Sequence, residues 1–352
     1  MNAESGLRRS LRRVLIACAI AYPLALFACA LGFYCIGEDW WVTAAGLYAP
    51  RLVFLLPLPL TVTSLLMLGE RRLLWTQVVA AFIAIVPLMG FVLPLPHAKV
   101  SSRPTLRVLT FNVDSVRAGP AEIAAAIAKN APDVALLQEI MQVRGNAELI
   151  AALHTSFPYV EASTQFIIAS RYPVVARTLP HRLFFHGKTS FSQFVRYLVE
   201  TPLGELAIYN VHPRSPRGVL HVRTFHAVMP ELESGQLLAG DPSADVRANA
   251  ELRELQIHEA ASSAARESLP TIVAGDTNLP GLSAIFRRNL SLFADGFREA
   301  SWGFGYTFPV NHPFLRLDRI LANDKLRFVS FRIDCRGASD HYCLVAEVQA
   351  RQ

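Results

Sequence analysis

The sequence predicts an α+β fold of two sheets packed together and covered by helices, preceded by three transmembrane helices. Three observations carry this. From Leu106 onward, strand-like apolar runs alternate with helical segments; many of those runs close on a polar tip; and the first hundred residues hold three long uncharged stretches. Strands broken by helices bury one face only when two sheets stack and helices cover them.

The first stretch, residues 14–36, reads VLIACAIAYPLALFACALGFYCI and is 23 residues long. About 20 apolar residues cross a bilayer. Residues 52–68 and 73–95 follow, separated by Gly69, Glu70, Arg71 and Arg72. The second run is short for a span, but Ala44 to Pro50 are available to extend it while Arg51 snorkels to the interface. A hydrophobic hairpin fits both runs. A rival reading of the first run is a cleaved signal peptide, or a lipoprotein signal ending at Cys29. Apolar sequence continues to Ile36, where a cleavage region should be polar, so the adopted reading is a retained anchor.

Sorting the charges by region supports this division. Up to residue 102, Arg8, Arg9, Arg12, Arg13, Arg51, Arg71, Arg72 and Lys99 stand against Glu4, Glu38, Asp39 and Glu70, which is eight minus four, or +4 of the chain's +6. The remainder holds 26 basic and 24 acidic side chains, nearly neutral. A basic surface for nucleic acid is therefore not indicated. The arginines read as topology: Arg8, Arg9, Arg12 and Arg13 before the first span, and Arg71 with Arg72 between the others, face the cytoplasm. Everything after the third span then lies outside the inner membrane, on the periplasmic or extracellular side, with Trp40 and Trp41 at the outer interface.

Cysteine use is sparse. Cys18, Cys29 and Cys35 lie in the first span, and no spacing suggests zinc. Cys335 and Cys343 read first as two small buried hydrophobes; a disulfide between them is the alternative, open to a domain outside the cytoplasm.

Pro94, Pro96, His97 and Pro104 end the apolar pattern, so the reading is an anchor over 1–98, a linker over 99–105 and a catalytic domain over 106–352. LRVLTFNV reads as a strand, PAEIAAAIAKNA as an amphipathic helix, DVALLQEI as a strand and AELIAALHTSF as a helix. FIIAS, FVRYLVET and GELAIYNVH are further strands. Asp245 reads as the N-cap of a helix from about Val246 to Ser268. TIVAGDTN, a helical SAIFRRNLSLF, LRLDRIL, LRFVSFRI and YCLVAEV complete the set. Residues 213–245 match no motif and read as a substrate-facing or surface excursion.

Six strings stand in order at strand ends: TFNV at 110–113, LLQEI at 136–140, YNVH at 209–212, GDTN at 275–278, LDRI at 317–320 and SDH at 339–341. Together they resemble the endonuclease/exonuclease/phosphatase superfamily, over residues 106–348. The apolar spans and GFGYTFP at 303–309 look most like its bacterial membrane-anchored branch, which includes glycopeptide-resistance proteins. Thr277 and Val211 replace the Phe and Thr common in relatives, and neither change removes a functional group. The resemblance implies a four-layer α/β/β/α sandwich of two mainly antiparallel sheets.

The residue types make chemical sense on their own. Glu139 offers a hard carboxylate oxygen and Asn112 an amide oxygen, a set suited to Mg²⁺ or Mn²⁺. By resemblance, Asp340 is a further metal or outlying carboxylate, Asp318 orients His341, His212 donates to a nonbridging phosphate oxygen, and Asp276 with Asn278 holds the attacking water. Singly, Glu139 reads as an exposed strand-end acid, His341 as a structural histidine, and DTN as a turn with Asx bonding.

The expectation is a membrane-anchored, Mg²⁺-dependent hydrolase of phosphomonoesters or phosphodiesters acting outside the cytoplasm, with lipid-linked phosphates as the substrates a tether would favour and lipids around its anchor. No protein partner is implied. A nuclease of the same fold and a non-catalytic anchored binding module are the alternatives; near-neutral charge counts against the first, and the eight retained polar residues against the second.

Overall fold

The computed structural model describes residues 2–93, 103–140, 145–190, 193–219 and 244–351. Most of the expected linker and residues 220–243 of the unassigned excursion lie outside them.

Among the described residues, fourteen strands follow in chain order. They are β1 (Leu106–Asn112), β2 (Val134–Gln138), β3 (Tyr159–Ser163), β4 (Phe166–Ser170), β5 (Val174–Thr178), β6 (Leu183–Phe185) and β7 (Lys188–Ser190). The second half holds β8 (Phe194–Thr201), β9 (Gly204–Val211), β10 (Thr271–Asp276), β11 (Ala294–Asp295), β12 (Asp318–Ala322), β13 (Leu326–Asp334) and β14 (Cys343–Ala350). Two six-stranded sheets have the orders β13-β14-β1-β2-β4-β3 and β11-β12-β10-β9-β8-β5, and β6 and β7 form a separate hairpin. Each six-stranded sheet is mixed: β1 runs parallel to β2 and β9 parallel to β10, while the other pairs are antiparallel.

Period-2 alternation explains the layering. In β1, Leu106 and Val108 point into the core between the sheets, while Leu109 and Phe111 point outward. The outward set of the first sheet packs on Ile123, Ile127, Leu149 and Leu153 of the helices Pro120–Lys129 and Asn146–His154. On the second sheet, Tyr209, Val273 and Leu321 pack on Ala250, Ile257 and Leu290 of the helices Ala244–Ala265 and Ala284–Leu290. Asp245, expected as an N-cap, lies inside the first of these helices.

A buried polar network ties the two sheets together. Gln138 Nε2 donates to Asn210 Oδ1 (2.7 Å) and to Thr110 Oγ1 (3.0 Å), while Asn210 Nδ2 donates to the Leu137 carbonyl (3.1 Å). Asn210→Ala strands a buried amide, so a loss of about 1–3 kcal/mol is expected. A fall in the thermal unfolding midpoint of the full chain reads it.

Cys335 and Cys343 are bridged, with Cα atoms 5.4 Å apart. Both sulfurs are also buried. The reading as two unbonded hydrophobes is thus corrected: β13 and β14 pair antiparallel with Asp334 opposite Cys343, which brings the neighbouring cysteine within bonding reach.

At the N-terminus, Arg8–Cys35 and Arg71–Leu88 are long and apolar enough to cross a membrane. Trp41–Leu47 and Arg51–Met67 are bent by 95° at their junction. Residues 44–50 therefore do not prolong the second apolar run in a straight line; the break falls at Pro50, whose backbone is not helical. The third run ends its helix at Leu88, with Pro87 in its last, wider turn. Large apolar side chains such as Leu60, Met67, Val78 and Phe82 are exposed on these helices, a surface suited to lipid rather than water.

The turn between the first two helices docks onto the second sheet's helix layer. Glu38 Oε2 accepts from the backbone N–H of Ala284 (2.9 Å), and the Ser283 hydroxyl donates to Oε1. Gly37 fits because a Cβ there would stand 2.5 Å from the Ala284 Cβ, on a backbone with φ of +60°. Tyr48, half-buried, donates its hydroxyl to the carbonyl of Asn278 (2.7 Å).

Candidate active site

The parallel pairs determine where polar tips meet. Because β1 and β2 run the same way, Asn112 at the end of one and Glu139 just past the other emerge at one edge. In the second sheet, β9 and β10 do the same with His212 and Asp276. The antiparallel neighbour β12 begins at that edge, with Asp318 opposite Asp276. Since β14 runs against β1, the SDH segment before it falls there too. Stacking the sheets joins the two edges. Within the second sheet, Gly275 permits β10 to approach β9 closely: a Cβ there would stand 1.9 Å from the Val211 carbonyl oxygen.

The eight expected residues converge to different degrees. Asn112 Nδ2 donates to Glu139 Oε1 (2.9 Å) and to Asp276 Oδ2 (3.1 Å), so the amide nitrogen, and not the oxygen, faces both carboxylates. Its Oδ1 accepts from the Asp114 N–H (3.1 Å). His212 Nε2 lies 3.4 Å from Glu139 Oε1 and 3.7 Å from Asp276 Oδ2. Donor atoms of Glu139, His212 and Asp276, and those of Asp276, Asp318 and His341, each cluster within 4.8 Å. Asp340 stands apart at the half-exposed mouth, paired with Arg217 at 2.9 Å, its Oδ1 4.0 Å from His341 Nε2. Asn278 turns its amide away, donating Nδ2 to the Pro213 carbonyl (3.1 Å), while its N–H bonds Asp276 Oδ1 (2.8 Å). The Asx bond and the site geometry therefore coexist in the DTN turn.

His341 Nδ1 is 2.9 Å from Asp318 Oδ2, and its Nε2 is 3.8 Å from Asp276 Oδ2. Burial by itself would lower this imidazole, but the Asp318 and Asp276 carboxylates outweigh it and raise the group to about 9. Burial would likewise raise the Asp276 carboxyl; His341 and His212, with the Asn278 N–H and the Asn112 amide, instead hold it below the usual range. Phe308 packs against the His341 ring, 4.7 Å between centroids, and Arg217 lies over Phe308.

Several contributors escaped the sequence. Gln165 Oε1 lies 2.6 Å from His212 Nδ1, which commits that nitrogen and directs Nε2 at the carboxylates. Asp114 adjoins Glu139 and Asp340 electrostatically; burial and both acids raise its carboxyl. Its place directly after TFNV was the available signal. Non-glycine residues with left-handed backbone gather here as well: Asp114, Glu139 and Asn278 have φ of 43°, 62° and 50°. Such conformations cost about 1–3 kcal/mol each and concentrate at functional sites.

The donor set suits a divalent cation. Two carboxylates and a buried His212 Nε2 lacking a hydrogen bond among the described residues converge at one edge, where Glu139 keeps access to water.

Comparison with known proteins agrees with the fold. Among solved structures, the endonuclease/exonuclease/phosphatase from Beutenbergia cavernae DSM 12333 is 18% identical with a TM-score of 0.51, covering 70% of this chain and 72% of its own. Sphingomyelinase C from Streptomyces griseocarneus is 16% identical (TM-score 0.47, covering 69% and 99%). A humanized D. rerio TDP2 with 14 mutations is 16% identical (TM-score 0.49, covering 70% and 99%). No curated protein is a significant sequence match. The family model for the endonuclease/exonuclease/phosphatase family matches residues 109–341, from β1 through the SDH segment. The chain belongs to that family.

Proposed function

We propose that this chain is a membrane-anchored, divalent-metal-dependent phosphoesterase acting outside the cytoplasm, with residues 1–98 as anchor, 99–105 as linker and 106–352 as catalytic domain, in the anchored branch of its family. The observation that carries the reading is the convergence of Glu139, His212 and Asp276 beside the His341–Asp318 pair at one open edge.

Glu139 would hold Mg²⁺ or Mn²⁺, Asn112 joining once its amide turns over, with Asp340 at the mouth as a further carboxylate. A bound cation supplies charge neutralisation on the phosphoryl group and a water of lowered pKa. The protein's own groups do the rest. Asp276, held ionised, is a weak base and so orients the attacking water more than it strips its proton. His341, cationic at neutral pH, donates from Nε2 to an oxygen gaining charge as the phosphorus becomes pentacoordinate. Asp318 fixes the ring and balances its charge. With Nδ1 held by Gln165, His212 keeps Nε2 turned toward Glu139, Asp276 and the phosphoryl group they would surround.

Topology supports the tether. Glu38, Asp39 and Tyr48, in the turn after the first candidate span, touch the catalytic domain, so this turn and the domain share one side of the membrane. The arginine distribution makes that side external. A reporter enzyme that works only when exported, fused after Gln352, is expected to be active; activity confined to a cytoplasmic reporter contradicts the orientation.

Substrate class is tested with the purified full chain and Mg²⁺ or Mn²⁺ against lipid phosphates, small diesters and DNA in parallel. Lipid phosphates are expected to be hydrolysed fastest. Preference for DNA would favour a nuclease, and no turnover of any of them a binding module.

A further inference from the structure

Away from the strand-end site, a cavity of about 690 Å³ lies between the N-terminal helices and the second sheet's helix layer. One wall comes from Tyr34, Arg51 and residues 86–92, the other from the 280–283 loop and residues including Phe286, Arg287, Arg298 and Phe304. Its position is informative. Tyr34 closes the candidate span Arg8–Cys35, and Leu88 closes Arg71–Leu88, so the cavity sits where both apolar helices end. In a bilayer that is the depth of the headgroups.

Its charge is one-sided: five arginines line it against Asp295 and Glu299. Asp295 is occupied by Arg316 and Arg319, and Glu299 by Arg351. Arg51, Arg287 and Arg298 make no salt bridge among the described residues. Arg51 is 3% exposed; its Nη2 donates to the Leu47 carbonyl, and its Nη1 has no hydrogen-bond partner among the described residues. A buried guanidinium without an anion is strongly unfavourable, and removal of its counter-charge is the costly state. Phosphate matches its planar fork.

The remaining wall is apolar and aromatic. Phe91 meets Phe304 edge-on at 5.2 Å, Phe304 stacks on Tyr306 at 5.2 Å, and Tyr306 donates to the Met89 carbonyl (2.7 Å), which fixes that surface. A free inorganic anion would leave this surface unused.

We propose that the cavity binds one anionic phospholipid, with its headgroup phosphate on Arg51 and the Arg287 and Arg298 side, and its glycerol and upper acyl atoms along Phe91 and Phe304. None of the eight residues of the catalytic edge lines it. It rests on the membrane reading of the two helices and not on the phosphoesterase reading, because binding is measured without turnover.

The test uses the full chain in detergent with EDTA, carrying His341→Ala so that neither a cation nor the imidazolium is present to hold a lipid phosphate at the catalytic edge. Native mass spectrometry titrates phosphatidylglycerol, phosphatidylcholine and inorganic phosphate in separate arms. The expected result is saturable binding of one phosphatidylglycerol, with the other two at least about tenfold weaker, and about tenfold loss in Arg51→Gln. Arg298→Gln and Arg287→Gln give the same reading should Arg51→Gln fail to fold. Equal affinity for phosphatidylglycerol and phosphatidylcholine overturns the proposal, as does undiminished binding in every variant that folds. Inorganic phosphate binding as tightly as the lipid overturns its lipid part.

Discussion

His341→Ala is expected to lower phosphoester turnover by about three orders of magnitude, with a much smaller change in KM. The ring is buried, is held by Asp318 at 2.9 Å, and presents Nε2 to the Asp276 side of the site, so alanine removes a charged donor that acts on charge present mainly in the transition state. The pH profile separates this role from a structural one. His341 is raised to about 9, so the imidazolium is present at neutral pH and activity is expected to fall as pH rises through that value. Asp318→Asn removes the main counter-charge and should move the alkaline limb to lower pH, with a smaller loss in turnover than His341→Ala. The same pairing contributes to stability with a definite sign: its contribution is complete below the ordinary value of 6.5 and is lost as pH rises through about 9. An alkaline limb that stays in place in Asp318→Asn would remove His341 from the chemistry.

Glu139→Ala is the second large effect. Its carboxylate combines proximity to His212 and Asp276 with access to solvent, as a hard cation that retains several waters requires. Alanine is expected to raise the Mg²⁺ concentration needed for half-maximal activity at least about tenfold and to lower saturated turnover about a hundredfold. Turnover measured across an Mg²⁺ titration gives both numbers. Unchanged Mg²⁺ dependence would show that the cation is held elsewhere.

The placement of the strand-end residues was legible because each motif marks a place where apolar alternation stops on a polar side chain. TFNV delivers Asn112, YNVH delivers His212, and LDRI opens β12 with Asp318. The pairing of Cys335 with Cys343 was harder to read, since spacing alone serves two packed thiols and a bridged pair equally. Nor could local sequence reveal partners supplied by the fold. Gln165 reaches His212 from the turn between β3 and β4, and Tyr48 reaches Asn278 across 230 positions. The same holds for Asn112, whose amide direction is decided by Glu139, Asp276 and the Asp114 N–H acting together. Short edge strands such as β3 and β5 were missed because much of their side-chain surface stays exposed, which leaves a weak alternation signal. The 95° bend before Arg51–Met67 falls at Pro50, which an apolar count alone carries through as part of the run.

The central claim is metal-dependent phosphoester hydrolysis at the Glu139, Asp276 and His341 edge. It is tested most directly by release of nitrophenol from bis(4-nitrophenyl) phosphate by the purified full chain, stripped with EDTA and then resupplied with Mg²⁺ or Mn²⁺. Hydrolysis that vanishes on stripping, returns with the cation and is lost in His341→Ala is the predicted result. Hydrolysis that persists in EDTA, or is equal in the wild type and His341→Ala, would contradict it.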